Sequence, residues 1–323
     1  MPKSLSNQLI QYILIFILVL GVVECVYIPS YFAYVWARQF AIQLVFVYLG
    51  LAILFLALRL QRLMLVSFLC CATICLYLKL VSNQLLIQDF AEGGKPTYTV
   101  ALLNLSISSP EVGEVFAKLD KINADVIALE ELSTFWSDTL AQVFKKRYPF
   151  QNLQANYNAL GIGFLSKYPI IKADTFYFES VPNLSVTIRA KAFDQPIHLL
   201  STRTEPPFSN STYRRLGKHL DLLSQKVNSF EGNSISIGNL NVVTWSDEVI
   251  NFLAKTQMLD SRRGFMTTYP RAPFTLTTLP TDHIFYTKDY KCVYFNNLTS
   301  SSERHLGLYA VFQKNNSAHE KTD

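Results

Sequence analysis

The chain has 323 residues, half of them apolar and 16% charged, with a formal net charge of +5. That length allows about two domains. From Phe90 to the end, 24 Lys and Arg stand against 22 Asp and Glu, a net of +2, which excludes the strong basic footprint of a nucleic-acid binder. Cys292 is the single cysteine beyond residue 85, so a disulfide framework or cysteine metal site is excluded there.

Three apolar runs open the chain, at about residues 10–28, 40–58 and 63–80. Gln11 and Glu24 interrupt the first, Gln43 the second, and the third holds Cys70, Cys71 and Cys75. Each approaches the ~20 residues a membrane-spanning helix needs, and a core helix is rarely apolar on all faces. The runs predict a membrane anchor over residues 1–88, with three transmembrane helices at about 9–29, 39–58 and 63–81. A cleaved signal peptide fits poorly, because Val26-Tyr27-Ile28-Pro29 lacks a small-x-small cleavage site. Glu24 falls near the predicted outer end of the first span, where a carboxylate can snorkel to the interface. Lys3, Arg59 and Arg62 mark one side of the membrane and Arg38 the other. By the positive-inside rule the N-terminus is cytoplasmic and everything after the third span is periplasmic or external. A compact anchor of this kind suits an integral protein of a bacterial inner membrane.

A polar linker follows at residues 89–96 (DFAEGGKP), then a domain over 97–314 and a polar tail at 315–323, expected to be disordered. Within the domain, short buried runs predict strands at 98–103, 126–129, 161–165, 170–178, 185–193, 197–201, 234–237, 283–286 and 308–313. Helical periodicity predicts helices at 110–121, with Ser109 as N-cap, and at 133–144, 212–229 and 247–254. Alternation of this kind gives mixed sheets covered by helices.

Polar residues recur just beyond these strands: Asn104, Glu130 and Glu131, Arg203, Asn239 and Asn241, then Asp282, His283 and His305 before the last two. Strand ends of layered α/β sheets are where ligands gather.

The motifs at these positions, in this order, resemble the endonuclease/exonuclease/phosphatase superfamily, the DNase I-like group. Ala101-Leu102-Leu103-Asn104 is similar to its opening strand ending in Asn. Ala124-Asp125-Val126-Ile127-Ala128-Leu129-Glu130-Glu131 is similar to the strand ending in Gln-Glu, whose final Glu holds a divalent metal. Gly163-Phe164-Leu165-Ser166-Lys167-Tyr168-Pro169-Ile170 resembles "SR-x-PI". Ser201-Thr202-Arg203-Thr204-Glu205-Pro206-Pro207 sits where relatives have "TH-x-x-PP". Ile237-Gly238-Asn239-Leu240-Asn241 stands for "GDFN", Thr281-Asp282-His283-Ile284 for "iDH", and Ser302-Glu303-Arg304-His305-Leu306 for "SDH-L". The resemblance implies a four-layer α/β sandwich, two packed mixed β-sheets flanked by helices, behind the three transmembrane helices. It also implies phosphoester hydrolysis assisted by Mg2+ or Mn2+, which would polarise the phosphoryl oxygens. By the same resemblance Glu131 and Asn104 are the metal-side residues. His305, Asn241, Asp282 and position 239 form the catalytic set, with an Asp next to the His orienting it.

Three positions depart from the pattern. Asn239 replaces the Asp of "GDFN", and an amide cannot take a proton from water at ordinary pH. Arg304 replaces the Asp of "SDH", and Arg203 replaces the His of "TH-x-x-PP". These changes shift the site by about +4 in formal charge. Loss of one member of a catalytic set can cost roughly 10³ to 10⁶ in rate, whereas Arg is shaped for bidentate phosphate contact. One reading is therefore a catalytically impaired domain. It would bind a phosphate-containing ligand, such as a lipid headgroup, through Arg203, Arg304 and Asn241, with little or no metal. The other is an active metal-dependent phosphodiesterase or phosphomonoesterase at the membrane surface, with Glu130 or Glu205 as substitute carboxylates.

Overall fold

The computed structural model describes residues 8–27, 37–82, 89–105, 112–190, 193, 195–264, 266, 268, 278–299 and 305–315. Three apolar helices come first: α1 (Gln8–Val26), α2 (Ala41–Ala57) and α3 (Gln61–Val81). Of these, α1 and α3 are long and apolar enough to cross a membrane. The expectation of three spans is corrected on this point, because α2 has 17 residues and rises only about 26 Å against a hydrocarbon core of ~30 Å. Its end is set by Arg59, whose φ of +58° turns the chain. Leu60 N–H then bonds back to Phe55 O at 2.8 Å, closing the helix in the manner of a left-handed cap.

The domain runs β1 (Thr97–Asn104), α4 (Val112–Ile122), β2 (Val126–Glu130), α5 (Thr134–Val143), β3 (Phe150–Gln154), β4 (Ile162–Ser166), β5 (Ile170–Phe178), β6 (Val181–Ile188), β7 (Ile197–Arg203), α6 (Asn210–Asn228), β8 (Ser234–Asn239), α7 (Asp247–Thr256), β9 (Leu259–Asp260), β10 (Asp282–Tyr286), β11 (Tyr290–Thr299) and β12 (His305–Lys314). Two six-stranded sheets result, ordered β11-β12-β1-β2-β4-β3 and β5-β6-β7-β8-β10-β9. Both are mixed: β1 and β2 pair parallel, as do β7 and β8, and their other neighbours run antiparallel.

Period two along each strand explains the layers. Val100 and Leu102, Val126 and Ala128, Ile235 and Ile237, and Ile284 and Tyr286 share one apolar cluster between the sheets. The alternate residues Ala101, Leu103, Ile127 and Leu129 pack under α4 and α5 with Trp136 and Leu140. Leu200 and Phe285 pack under α6 and α7. Serines start the helices: Ser133 Oγ accepts from Trp136 N, and Ser246 Oγ from Val249 N. Ser209 and Thr212 form a reciprocal capping box on α6, satisfying donors the helix itself leaves open. Two packed mixed sheets flanked by helices are what the sequence led us to expect. β3, β9 and β11 were not predicted, and β6 begins at Val181 rather than 185. The proposed cap Ser109 lies outside the described residues, as do residues 316–323 of the tail. The linker is tied down: Glu92 N–H bonds to Gln313 Oε1 at 2.8 Å, and the Glu92 carboxylate pairs with Lys291 and Lys95.

The helix bundle docks on the domain through one seam. Trp245 Nε1 donates to Arg38 O at 2.7 Å, Tyr77 Oη to Trp245 O at 3.1 Å, and Gln43 Nε2 to Thr278 O at 3.3 Å. Arg38 pairs with Asp247 and donates from Nε to Cys25 O at 3.1 Å. Val243, Trp245 and Leu279 join the apolar cluster of the bundle. The C-terminal ends of α1 and α3 and the N-terminal end of α2 thus meet the domain together.

Candidate active site

Strand parity assembles the site. Asn104 continues the intersheet face of β1, Glu130 that of β2, Arg203 that of β7, Asn239 that of β8 and Asp282 that of β10. Asn104 is in register with Glu130, while Arg203 and Asp282 both align with Asn239. The two rows face each other where the apolar filling between the sheets stops. Gly238 permits the approach: its φ is +152°, and a Cβ there would lie 1.8 Å from Thr202 O and 3.0 Å from Glu130 Oε1.

Glu130 is fully buried, and its Oε1 accepts Asn239 N–H at 2.7 Å across the gap. Burial raises its carboxyl to about 8, the Arg203 charge opposing and the Asp282 charge adding. It stands where the resemblance has Gln, and a protonated carboxyl is the nearest neutral equivalent. Glu131 would point to the helix side if the strand continued. Instead it adopts φ +53°, a left-handed conformation that costs a non-glycine residue about 1 kcal/mol. The turn brings its carboxylate back, so that Oε1 accepts from Arg203 Nη1 at 2.7 Å and from Asn104 Nδ2 at 3.2 Å. Arg203 Nη1 also lies 3.8 Å from Glu130 Oε2. Burial opposes the Arg203 charge, but Glu130 and Glu131 outweigh it and raise the pKa of the guanidinium.

His305, the first residue of β12, places Nε2 2.5 Å from Asp282 Oδ2. Burial pushes the Asp282 carboxyl up, yet the His305 hydrogen bond and the charges of His305, His283 and Arg262 prevail and leave it lowered. Nε2–H therefore donates to a carboxylate. Sequence reasoning had given the orienting role to residue 304. The structure corrects this, since the partner of His305 is Asp282, which faces it from the start of β10. Arg304 itself lies outside the described residues. Asn239 Oδ1 accepts the N–H of Asn241 at 2.7 Å, and Asn241, at φ +54°, donates from Nδ2 to Thr204 O at 2.6 Å.

Asn104, Glu130, Glu131, Arg203, Asn239, Asn241, Asp282 and His305 are thus brought to one end of the paired sheets. His283 is not: it faces the helices, donates to Val242 O at 2.9 Å, and burial followed by the Arg262 charge holds its pKa down at about 3. Glu205 is turned away toward Arg215, 3.1 Å distant. Sequence reasoning missed Arg262, which is 2% exposed and donates from Nη2 to Asp282 O at 2.5 Å. In the run Asp260-Ser261-Arg262-Arg263 it reads as loop charge.

The residues do not fit a divalent cation on Glu131. Oε1 of that carboxylate is already paired with a guanidinium. An ion of charge +2 about 4 Å from that guanidinium would be repelled by about 8 kcal/mol at an effective dielectric near 20. Among the described residues, no group of three His, Cys, Asp or Glu side chains is arranged to hold a metal.

Residues 104–295, more than half of the chain, match the Endonuclease/Exonuclease/phosphatase family. Among solved structures, the chain is similar to an endonuclease/exonuclease/phosphatase from Beutenbergia cavernae (TM-score 0.57, 14% identity, covering 68% of this chain and 72% of that one). It is also similar to D. rerio TDP2 complexed with a single-strand DNA product (TM-score 0.56, 16% identity, covering 68% of this chain and all of that one). A third is the mannosyl-6-phosphatase Bt3783 of Bacteroides thetaiotaomicron (TM-score 0.52, 14% identity, covering 67% and 99%). At these identities the likeness concerns the fold. No curated protein matches the sequence. The family match over most of the domain, the two mixed sheets and the shared motif order lead to one conclusion: the chain belongs to the endonuclease/exonuclease/phosphatase family.

Proposed function

We propose that this protein is a membrane-anchored, catalytically impaired member of its family whose domain binds a phosphate-containing ligand on the outer face of the membrane. The observation that carries the reading is the state of position 239. Asn239 has no proton-accepting group, and its Oδ1 is bonded to the Asn241 N–H. Among the described residues the neighbouring carboxyl groups are engaged elsewhere, and Asp282, aligned with Asn239, holds His305. Glu131 is ion-paired with Arg203, Glu130 is buried against Asn239 N–H, and Glu205 faces Arg215. The Asp282–His305 pair and Arg203 remain as groups that recognise a phosphate. The anchor is supported by α1 and α3, and an inner-membrane location with the domain in the periplasm suits the Lys and Arg distribution.

Hydrolysis of bis(p-nitrophenyl) phosphate and of a phosphomonoester by the detergent-solubilised full chain, with Mg2+ or Mn2+, tests this. No turnover above the rate of a Glu131→Gln control is expected. Turnover that this substitution abolishes would establish a working metalloenzyme and overturn the reading.

A further inference from the structure

The Glu131–Arg203 contact bears on how such a site holds an anion. We propose that the Arg203 guanidinium is a built-in cation occupying the place of a divalent metal on Glu131, so that the site binds a phosphate group without any metal. This rests on the phosphate-binding reading above and specifies its chemistry.

Arg203 is carried by β7 in one sheet, but its partners, the Glu131 carboxylate and the Glu130 carboxyl group, stand at the end of β2 in the other. The side chain therefore bridges the sheets at the point where the family's metal-holding Glu stands. Its anchoring is fixed by three features: the left-handed turn at Glu131, the Asn104 Nδ2 bond to the same carboxylate oxygen, and the alignment of Arg203 with Asn239. A metal bridges carboxylate to phosphate by coordinating both. A guanidinium can do the same with separate N–H groups, since it presents five donors in one plane. Among the described residues, the hydrogen bonds of Arg203 come from Nη1 alone. The side chain is 18% exposed, so the remaining edge of the fork meets the open end of the site. On the far side of Asn239, His305 is fixed by Asp282, and among the described residues its Nδ1 has no protein partner although it is buried. Two cation-capable groups on opposite ends of the Arg203–Asn239–Asp282 row suit a tetrahedral anion. Charge balance agrees, because Glu131 is already neutralised by Arg203 and an amide replaces the carboxylate at position 239. Little negative charge is left to draw in a divalent ion.

The test uses the full chain in detergent, with inorganic phosphate and Mn2+ as probes. Calorimetric titration with phosphate in EDTA is expected to show binding. Electron paramagnetic resonance is expected to show no stoichiometric Mn2+ on the wild type. In Arg203→Ala, phosphate binding in EDTA should weaken at least tenfold. Mn2+ should then bind, restore phosphate affinity, and be lost again in Arg203→Ala/Glu131→Gln. Arg203→Lys, which keeps the charge without the planar fork, should bind phosphate with intermediate affinity and exclude Mn2+. The wild-type measurements decide the matter even if a variant misfolds. Stoichiometric Mn2+ on the wild type that Glu131→Gln removes, or phosphate binding that EDTA abolishes, would overturn the inference while leaving a phosphate-binding site in place. Failure to bind phosphate with and without Mn2+ would overturn the binding reading itself. In nanodiscs, competition between phosphatidic acid and free phosphate would assign the ligand to a lipid-borne phosphate. Indifference to phosphatidic acid would assign it to a soluble one.

Discussion

At the scale of single residues, Glu130 shows how environment resets a side chain. Asp and Glu are almost never fully buried without compensation, and Glu130 receives one backbone N–H and an Arg at 3.8 Å. Its folded carboxyl is raised to about 8 from an ordinary 4.5. Between those values the folded state holds a proton that the unfolded state lacks, so stability falls as pH rises through this window and levels off above it. Glu130→Gln removes the penalty and restores the family's own residue. Thermal denaturation should show wild type and variant close together at pH 5, with the variant more stable by about 2–4 kcal/mol at pH 9. Parallel stability curves across that range would refute a raised carboxyl at this position. The identity of this residue as a strand-end carboxylate was legible in the sequence, and so were Asn104, Arg203, Asn239 and Asp282, because parity and the end of a buried run locate them. Their pairings were not legible. Which acid holds His305 depends on how β10 faces β12 across the sheets, and nothing within Ser302–Leu306 records that. Asn183 is a similar case: a polar residue that is fully buried, accepting from Thr202 Oγ1 at 2.6 Å with its Oδ1 2.9 Å from His219 Nε2.

At the scale of elements, β2 and β8, where every residue is buried, were found from the sequence, and so was the edge strand β5. The apolar run Val126–Leu129 of β2 is what a sandwiched parallel strand produces. β3 (Phe150–Gln154) and β11 (Tyr290–Thr299), both at sheet edges, were missed. β3 carries Gln151, Asn152 and Gln154, and β11 has a register shift between Cys292 and Tyr294. An edge strand needs apolar partners on one side only, and a bulge breaks its alternation. The β7–β8 junction is the element on which the site depends. A methyl group at Gly238 would meet Thr202 O at 1.8 Å, and the backbone there is one that L-residues avoid. Gly238→Ala should therefore cost roughly 3 kcal/mol or more and weaken phosphate binding in step, because Arg203 and Asn239 would be pushed apart. Chemical denaturation and phosphate titration of one preparation measure both. A loss below about 1 kcal/mol would mean that the strands tolerate a wider separation.

At the scale of the whole molecule, the bundle and the domain are joined through the segment that leaves the site. Three residues separate Asn241 from Trp245, whose indole N–H bonds Arg38 O and whose carbonyl accepts from Tyr77. Ser246, the next residue, caps α7. The sequence showed apolar helices followed by a domain. It gave no sign of this seam, because Arg38 read as a loop charge marking the outer face, and Asp247 only as the start of a helix at 247–254. In the structure the two neutralise each other, with Arg38 9% exposed. A buried cation that loses its partner is costly, whereas losing both groups costs less. Asp247 is about one-third exposed, so water moderates the effect. Asp247→Ala should destabilise the solubilised chain by about 1–3 kcal/mol. Arg38→Met/Asp247→Ala should recover part of that loss, giving a favourable coupling in the double-mutant cycle. Since the seam continues into the loop holding Asn239 and Asn241, the single substitution should also lower phosphate affinity, and the double variant should regain it. Additive stability effects with unchanged phosphate binding would instead describe a domain that sits on its apolar helices without being held by them.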